Sequence, residues 1–318
     1  MRVLPHCEVV VAGWPCQDLS QAGRTTGITG LRSGLVGEIF RLVKQAKVKP
    51  SYIVLENVPF ALHLQKGQAL ALVTQSLEDL GYRWAYRILD SKHFGLPQRR
   101  RRLFIVASRD DDPSNILFEG ANSQAKPDYQ GQHFGFYWTE GNAGVGWSPG
   151  AVPPLKGGSG LAIPSPPAIW NKATKAFVTP GIIDAERMQG FASGWTETDA
   201  GSPASQRNRW RLVGNAVSVP VAQWLGKRLM SNERGCVAHL PLAGQRSNAA
   251  AGGPKASRKH FLISEAPEAA TSLTLDNFAM LGAAPLSLRA ARGFYNRVTA
   301  SPLRVSHDFV NDLRNYIR

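Results

Sequence analysis

Short apolar runs alternate with longer amphipathic stretches between Glu8 and Ala107, and this alternation is the feature that most constrains the fold. The runs VVVA, YIVL and LFIVA have the length and the β-branched content of buried strands. Between them, the segment that starts at Gly34 repeats its apolar residues at helical spacing until Pro50 stops it. Strands that alternate with helices are typical of a mostly parallel sheet covered by helices, so the sequence predicts an α/β region over residues 1–107.

The composition changes after Ala107 and divides the rest of the chain into four regions. Residues 108–177 are rich in Gly, Pro, Ser, Asn and aromatic residues, which predicts an irregular insert that is folded, because disordered segments contain few aromatic side chains. Helical patterns return over residues 178–230, and the polar, Ala/Gly/Ser-rich residues 231–270 are typical of a linker. Residues 271–318 contain two short basic amphipathic stretches, which predict a helical tail.

The charge of the chain favours a polyanionic partner. Its 318 residues carry a formal net charge of +14, which favours nucleic acid over general solubility or attraction to a membrane surface. No apolar stretch approaches the roughly 18 residues of a transmembrane helix, and the N-terminus lacks the layout of a signal peptide, so we expect a cytoplasmic protein. The three cysteines, Cys7, Cys16 and Cys236, have no CxxC spacing, so we expect neither a disulfide framework nor a metal site.

Two residues at predicted strand ends are candidates for chemistry. Cys16 follows the run VVVA within the segment GWPCQDLS, and Glu56 ends the run YIVLE. Because ligands of open α/β sheets bind at the carboxyl ends of strands, the thiol and the carboxylate can converge on one crevice. The alternative for Cys16 is a buried small hydrophobic residue, and the alternative for Glu56 is a helix cap or a surface ion pair.

Four consecutive arginines precede the run LFIVA in the segment QRRRRLFIV. In an extended chain Arg100 and Arg102 point to one face and Arg99 and Arg101 to the other. One pair can then enter a site while the other meets solvent or phosphate. The alternative is a solvated run of charge without a specific task.

Five segments together resemble a known enzyme family. GWPCQDLS, LENV, QRRRR, ERMQGF and GNAVSVPVA occur in the order and at the spacing of the motif blocks of the DNA (cytosine-5) methyltransferases. The resemblance covers about Glu8 to Met230 and implies a Rossmann-like α/β methyltransferase fold with residues 108–177 as a small target recognition insert; residues 271–318 then form a C-terminal helical extension. It also implies S-adenosyl-L-methionine as cofactor, double-stranded DNA as partner and a restriction-modification system as context.

The resemblance gives catalytic roles to four residues. The Cys16 thiolate adds to C6 of a flipped cytosine and makes C5 nucleophilic enough to accept a methyl group. Glu56 contacts N3 and the exocyclic amine, and Arg102, supported by Arg100, holds the O2 edge of the base.

The same resemblance assigns binding roles to further positions. The residues expected to contact the cofactor are Pro15, Asn215 and Ala216. Those expected at the DNA are Gln17, Asn57, Gln98 and Arg187, of which Arg187 mainly organises the recognition insert.

The chain departs from the family pattern at its N-terminus. The Phe-x-Gly-x-Gly turn and the acidic residues that contact the cofactor's ribose and adenine in that family have no counterpart ahead of Cys16. We therefore expect an N-terminally incomplete fold, whose missing segment is encoded upstream of Met1 or carried by a separate cofactor-binding chain. The remaining alternatives are a decayed, non-catalytic DNA-binding remnant and a tRNA cytosine methyltransferase of similar architecture.

Overall fold

The chain forms two compact units in the computed structural model. The structure describes residues 3–14, 34–119, 129–140, 144–157, 165–197, 203–231, 240, 242–243, 247–254, 256–267 and 271–318. The first unit comprises Met1–Asp90, Arg101–Ala125 and Trp224–Ala269. The second comprises Ser91–Arg100, Lys126–Gln223 and Ala270–Arg318, so the boundary between the units falls within the arginine run.

The strands and helices follow one another along the chain in a mixed order. They are β1 (Val9–Gly13), α1 (Leu35–Gln45), β2 (Tyr52–Asn57), α2 (Gln68–Asp79), β3 (Arg83–Asp90), β4 (Arg101–Ser108), α3 (Pro113–Leu117), β5 (His133–Phe136), β6 (Ser148–Pro149), β7 (Ala168–Asn171), β8 (Ala176–Thr179), α4 (Ile182–Gln189), α5 (Pro203–Asn215), α6 (Val219–Met230), β9 (Ala249–Gly253), β10 (Ala256–Phe261), β11 (Ala284–Pro285), α7 (Leu288–Thr299) and α8 (His307–Tyr316).

A six-stranded sheet in the order β1-β2-β4-β3-β9-β10 forms the centre of the first unit. Among its described strands only β1 and β2 pair in parallel, and every other adjacent pair is antiparallel. The predicted α/β class is confirmed, but the predicted mostly parallel arrangement is wrong. The reason is that β4 turns back after β3 and inserts between β2 and β3, so that two parallel strands are separated by an antiparallel one.

Helices α1 and α2 pack on one face of this sheet because each buries an apolar stripe. The buried residues of α1 are Val36, Phe40 and Val43, and those of α2 include Leu70, Val73 and Leu77. They join Ile53 and Leu55 of β2 and the aromatic residues of β3 in a single core. Burial of each large aliphatic side chain contributes about 1.5–3 kcal/mol, so this core holds the strands whose ends carry the candidate site.

Strands β9 and β10 lie within residues 231–270, where the sequence predicts a linker. That prediction is wrong for these residues, since β9 pairs with β3 and β10 pairs with β9. The small side chains that suggested a linker are required by packing. Ala249 and Ala250 are fully buried, and a Cβ atom on Gly252 would lie 2.8 Å from the Trp84 ring.

The fully buried Arg87 connects two segments of the first unit. Its guanidinium donates to the carbonyl oxygens of Leu117 (2.9 Å), Ser264 (2.9 Å) and Ala266 (2.6 Å). Burial lowers the pKa of Arg87 to about 10, which leaves it charged at neutral pH. Carbonyl oxygens on several sides thus replace the water that the buried cation has lost.

The second unit contains a five-stranded antiparallel sheet in the order β11-β8-β7-β5-β6. The sequence predicts helices in the tail, and α7 and α8 are those helices. They are not a separate extension, because they share one aromatic core with the strands of residues 108–177. The buried aromatic side chains of this core are Phe136, Trp170, Phe177, Phe294 and Phe309.

Helices α4 and α5 belong to a second core of the same unit. Ile182, Ala185 and Met188 of α4 pack with Trp210 and Val213 of α5.

Within the described part of the chain, none of the helices has both the length and the apolar character that a membrane span needs.

Candidate active site

The carboxyl ends of β1 and β2 meet at one edge of the sheet in the first unit. Gly13 is the register partner of Glu56, and the Trp14 amide donates to the Glu56 carbonyl oxygen over 3.4 Å. A Cβ atom on Gly13 would lie 3.4 Å from Glu56 Oε2, so the carboxylate lies beside the last residue of β1. Cys16, with its neighbours Pro15 and Gln17, lies outside the described residues.

Glu56 forms an ion pair with Arg102 on the neighbouring strand β4. Arg102 Nε is 2.9 Å from Glu56 Oε1, and the two side chains are 16% and 17% exposed, respectively. Glu56 is the register partner of Phe104, and Arg102, two positions earlier on β4, points to the same face. This partial burial limits solvent screening, so the pair is stronger than a surface ion pair while the carboxylate stays accessible.

The other three arginines of the run have different partners. Arg101 Nε donates to Glu265 Oε2 over 2.8 Å in the first unit. Arg99, which is exposed, donates through Nη1 to the Trp147 carbonyl over 3.4 Å in the second unit. The predicted alternation of side chains between two faces agrees with the exposure of the first two arginines, since Arg99 is exposed and Arg100 is buried.

Arg100 holds backbone carbonyls of the second unit. Its Nη1 donates to Leu155 over 3.2 Å, and its Nη2 donates to Gly214 over 3.1 Å and to Ala216 over 2.9 Å. The side chain is 3% exposed. The prediction that Arg100 supports the base is therefore corrected: its guanidinium is buried and donates to the backbone of the GNAV segment.

Gln98 extends this buried network. Its Nε2 donates to the Met188 carbonyl over 3.0 Å and to Gln189 Oε1 over 2.6 Å, and its Oε1 accepts from the Leu155 amide over 3.0 Å. Gln189 Nε2 in turn donates to the Ala216 carbonyl over 2.5 Å. Gln98 is fully buried, so its predicted contact with DNA is corrected to a structural role within the second unit.

Asn57 and Arg187, which were both expected at the DNA, contact other parts of the protein. Asn57 is 3% exposed, and its Oδ1 accepts from the Val58 amide over 2.7 Å. Burial excludes a direct DNA contact by Asn57 in this conformation. Arg187 donates to the Ala279 carbonyl over 2.6 Å and lies 4.5 Å from the Phe278 ring centroid, so it binds the part of the tail that precedes α7.

The two residues predicted to contact the cofactor from the GNAV segment lie at the end of α5. The carbonyl of Ala216 is held by two hydrogen bonds, whereas Asn215 is exposed. Gly214 allows a close approach here, because a Cβ atom at that position would lie 2.3 Å from the Gly157 amide nitrogen. The segment is thus fixed in place and presents one polar side chain to solvent.

Glu186 of the ERMQGF motif is the centre of a buried polar network for which the sequence suggested no role. It is fully buried and accepts from the amides of Gly194 (2.6 Å) and Thr196 (2.9 Å) and from Arg209 Nη2 (3.0 Å). Burial alone would raise its pKa, but these hydrogen bonds, led by those from Thr196, outweigh burial and hold the pKa of Glu186 below its usual value. The presence of a carboxylate beside the quoted Arg187 was the available signal.

Comparisons with known proteins identify the family to which the chain belongs. The model of the C-5 cytosine-specific DNA methylase family matches residues 2–139. The Type II methyltransferase M2.BsuMI of Bacillus subtilis (strain 168) is 42% identical over an alignment of 328 positions, which covers 98% of this chain and 84% of the relative. The Type II methyltransferase M.DsaV of Dactylococcopsis salina is 26% identical over 260 residues, which cover 72% of this chain and 70% of the relative.

A solved structure, that of the S. pombe Dnmt2 methyltransferase, is 15% identical, with a TM-score of 0.45 over 70% of this chain and 77% of that chain. The family assignment rests on the sequence matches. Since M2.BsuMI matches at 42% identity over nearly the whole chain, the protein belongs to the C-5 cytosine-specific DNA methylase family and is a DNA (cytosine-5) methyltransferase.

Proposed function

We propose that the protein transfers a methyl group from S-adenosyl-L-methionine to C5 of cytosine in duplex DNA, through a covalent Cys16 adduct on a flipped base. The observation that carries this proposal is the Glu56–Arg102 pair, at 2.9 Å, beside the strand end that leads to Cys16. C5 of cytosine is a weak nucleophile. Addition of a thiolate to C6 moves the electron pair of the C5–C6 double bond to C5, which makes C5 reactive.

Cys16 acts as the nucleophile in this proposal. Its thiolate forms a bond to C6, and S-adenosyl-L-methionine, when bound, supplies the electrophilic methyl group for C5. Transfer of the C5 proton to water then returns its electron pair to the C5–C6 double bond, and the C6–S bond breaks to release the Cys16 thiolate. The guanidinium of Arg102 at this edge of the sheet favours the thiolate form, because a nearby cation lowers the pKa of a thiol.

Glu56 and Arg102 stabilise the base as charge develops on it. Glu56 contacts N3 and the exocyclic amine, and Arg102 contacts the O2 edge. The ion pair between them supports these roles, because it orients the carboxylate before the substrate arrives, and preorganised groups need no rearrangement during the reaction. Arg100 and Gln98 act indirectly by fixing the backbone of the GNAV segment.

The cofactor contacts of this chain come from the GNAV segment and from Pro15. The exposed Asn215 side chain carries both a hydrogen-bond acceptor and donors, which fit a ligand such as the methionine part of the cofactor. Asn215 would hold this part, and Ala216, whose carbonyl is bound by Arg100 and Gln189, would keep the segment in place beside it.

We also infer that a further segment pairs with β1, either as part of a longer chain or as a separate cofactor-binding chain. Among the described residues, β1 pairs on one side only, with β2. Its Val9 is 37% exposed and its Val11 is 71% exposed on one face of the strand. An exposed apolar edge strand is prone to pair with another strand, which supports this inference.

Duplex DNA is the proposed substrate, and restriction-modification is the proposed context. The formal net charge of +14 supports contacts with phosphates, which position DNA without reading its sequence. We place the protein in the cytoplasm, where such a substrate is available.

The proposal is tested by transfer of a radiolabelled methyl group to cytosine-containing duplex DNA, with tRNA as a second substrate. Wild type is expected to label duplex DNA, Cys16→Ser is expected to lose the activity, and Cys7→Ser serves as the matched control. Preferential labelling of tRNA would contradict the DNA substrate. Salt-dependent DNA binding, without cofactor binding in titration calorimetry and without methyl transfer, would instead identify a non-catalytic DNA-binding remnant.

A further inference from the structure

The two basic amphipathic stretches of the tail form α7 and α8, and the proposed chemistry gives their charge no role. Residues 271–318 contain six arginines and three aspartates, with no lysine and no glutamate. The buried residues of α7 are Ala291, Phe294 and Val298. The opposite face of this amphipathic helix carries Arg289, Arg292 and Asn296, and all three are exposed.

Arg314 of α8 extends this exposed face. Its Nε donates to Tyr295 Oη over 2.9 Å, and its guanidinium lies 6.0 Å from the Tyr295 ring centroid. Arg292 Nη2 donates to the Ile317 carbonyl over 3.2 Å, at the C-terminal end of α8. These two contacts join the helices along one side. Arg289, Arg292 and Arg314 together are the arginine face.

The carboxylates of the tail are held by partners outside the arginine face. These partners are His133 for Asp276, Lys172 for Asp308 and Trp170 for Asp312. In the part of the chain that the structure describes, none of the six tail arginines forms an ion pair with a carboxylate. Arg292 and Arg314 donate to a carbonyl and a hydroxyl group, which orient a guanidinium without cancelling its charge. The arginine face is therefore cationic and partly preorganised.

The chemistry of this face suits the phosphates of a nucleic acid. A guanidinium is always charged and matches the geometry of a phosphate group with two parallel hydrogen bonds. The exposed amide of Asn296 adds a further donor of the kind that binds phosphate oxygens.

The apolar face of α7 argues against a lipid surface as the partner. An amphipathic helix that lies on a membrane inserts its apolar face between the lipids. In α7 that face is already buried, since Phe294 and Val298 belong to the aromatic core of the second unit. What α7 presents to solvent is its charged side, which fits a polyanion that is bound by charge alone.

We propose that the arginine face binds the phosphate backbone of duplex DNA, as a contact that lies outside the five motif segments. The inference rests on the proposed function for the identity of the nucleic acid. Phosphate contacts position a duplex without reading its bases. The tail thus adds affinity for DNA that does not depend on sequence.

Fluorescence anisotropy of the full chain with a labelled random-sequence duplex, over a series of salt concentrations, tests the proposal. We expect Arg289→Gln/Arg292→Gln to weaken binding at least about tenfold, because hydrogen bonds to charged groups are the strong ones. The slope of log K against log salt concentration should fall by about two, since each lost phosphate contact lowers it by about one.

Arg289→Gln alone separates a DNA contact from a change in the fold. Arg289 has no hydrogen-bond partner among the described residues, so this variant removes a charge without loosening the helix pair. We expect it to lower the salt slope by about one and to leave the thermal unfolding midpoint unchanged. An unchanged salt slope for this variant would overturn the proposal.

Arg41→Gln/Arg258→Gln is the matched control for net charge. It also removes two positive charges, but these arginines pair with Glu38 and Glu78 in the first unit. We expect it to change DNA affinity by less than about twofold. The proposal is overturned if the two double variants weaken binding equally, or if wild type does not bind the duplex.

Two further readouts separate this proposal from its rivals. Weaker binding of Arg289→Gln/Arg292→Gln to vesicles of phosphatidylcholine and phosphatidylserine, with DNA binding unchanged, would assign the face to a lipid surface and overturn the proposal. Transfer of labelled methyl groups is measured separately. Wild type that binds DNA through this face without any methyl transfer would contradict the proposed function and leave the arginine face as a DNA contact.

Discussion

Gln98 Nε2 and Gln189 Oε1 are 2.6 Å apart inside the second unit, and both side chains are fully buried. Gln98→Ala would leave the polar groups of Met188, Gln189 and Leu155 without this partner. Each buried group left unsatisfied costs about 1–3 kcal/mol, so we expect the free energy of unfolding to fall by at least about 2 kcal/mol. Chemical denaturation measures this free energy of unfolding. Gln206 is exposed, so Gln206→Ala serves as a control that should change the free energy by less than about 0.5 kcal/mol. Equal effects of the two variants would contradict the structural role of Gln98.

The buried Glu186 carboxylate makes a pH-dependent contribution to the free energy of unfolding. Because its folded pKa lies below its ordinary value of 4.5, the carboxylate stabilises the fold fully above that value. This stabilisation is lost as the pH falls through the lower, folded pKa. We expect Glu186→Gln to be less stable than wild type at pH 7, and the difference between them to shrink as the pH falls below 4.5. A difference that is constant over this range, measured by urea unfolding, would show that the charge of Glu186 contributes nothing.

Local packing predicts opposite changes in the free energy of unfolding for two glycine-to-alanine substitutions, one in β9 and one in α6. A Cβ atom on Gly252 would lie 2.8 Å from Trp84 Cζ2, so Gly252→Ala should destabilise the first unit by about 1–3 kcal/mol. Gly226, within α6, has nothing within 4 Å of its added Cβ atom, so Gly226→Ala should stabilise the helix by about 0.5–1 kcal/mol. Thermal unfolding compares them, and a neutral Gly252→Ala would contradict the described packing of β9 on Trp84.

The tail helices stabilise the strands of residues 108–177, which form the predicted insert. Phe309 of α8 is fully buried and lies 5.1 Å from Phe136, measured between ring centroids. Phe309→Ala should therefore cost about 3–5 kcal/mol and make the strands of the insert accessible to protease. Leu288→Ala is the control, since Leu288 is 51% exposed. Unchanged protease resistance of Phe309→Ala would mean that the insert is stable without the tail.

The Glu56–Arg102 pair predicts the effect of a conservative substitution on catalysis. Arg102→Lys keeps the charge but loses the Nε donor that contacts Glu56, so we expect kcat to fall about 10²-fold with little change in DNA affinity. Arg101→Lys is the matched control, because Arg101 lies next to Arg102 on β4 but pairs with Glu265 instead of Glu56. A similar fall in kcat for both variants would contradict a specific role for Arg102.

The sequence predicted the part of the candidate site that lies at the end of a strand. The run YIVLE placed Glu56 at the end of β2, and alternation along an extended chain separated Arg100 from Arg99 in exposure. The partners of Gln98 and Arg100 were not predictable, because residues far apart in sequence supply them. Neither motif spacing nor periodicity indicates whether a long polar side chain is directed to a ligand or to a buried carbonyl.

Strands β9 and β10 show a different limit of sequence reasoning. Their Ala- and Gly-rich composition resembles that of a linker, and the reason for it is found only in the three-dimensional contact with Trp84. The tail helices were predicted from their periodicity, but periodicity does not indicate which surface an amphipathic helix covers.

The central claim is that Cys16 is the nucleophile at the edge that carries Glu56. It is tested most directly by incubating the protein with S-adenosyl-L-methionine and duplex DNA containing 5-fluorocytosine, followed by proteolysis and mass spectrometry. In this base fluorine replaces the C5 proton that must leave, so the covalent adduct cannot be released. The chain has three cysteines, so the peptide that carries the base identifies the nucleophile. We predict the adduct on Cys16 and none in Cys16→Ser. An adduct on Cys7 or Cys236, or methylated DNA without any trapped protein, would contradict the account.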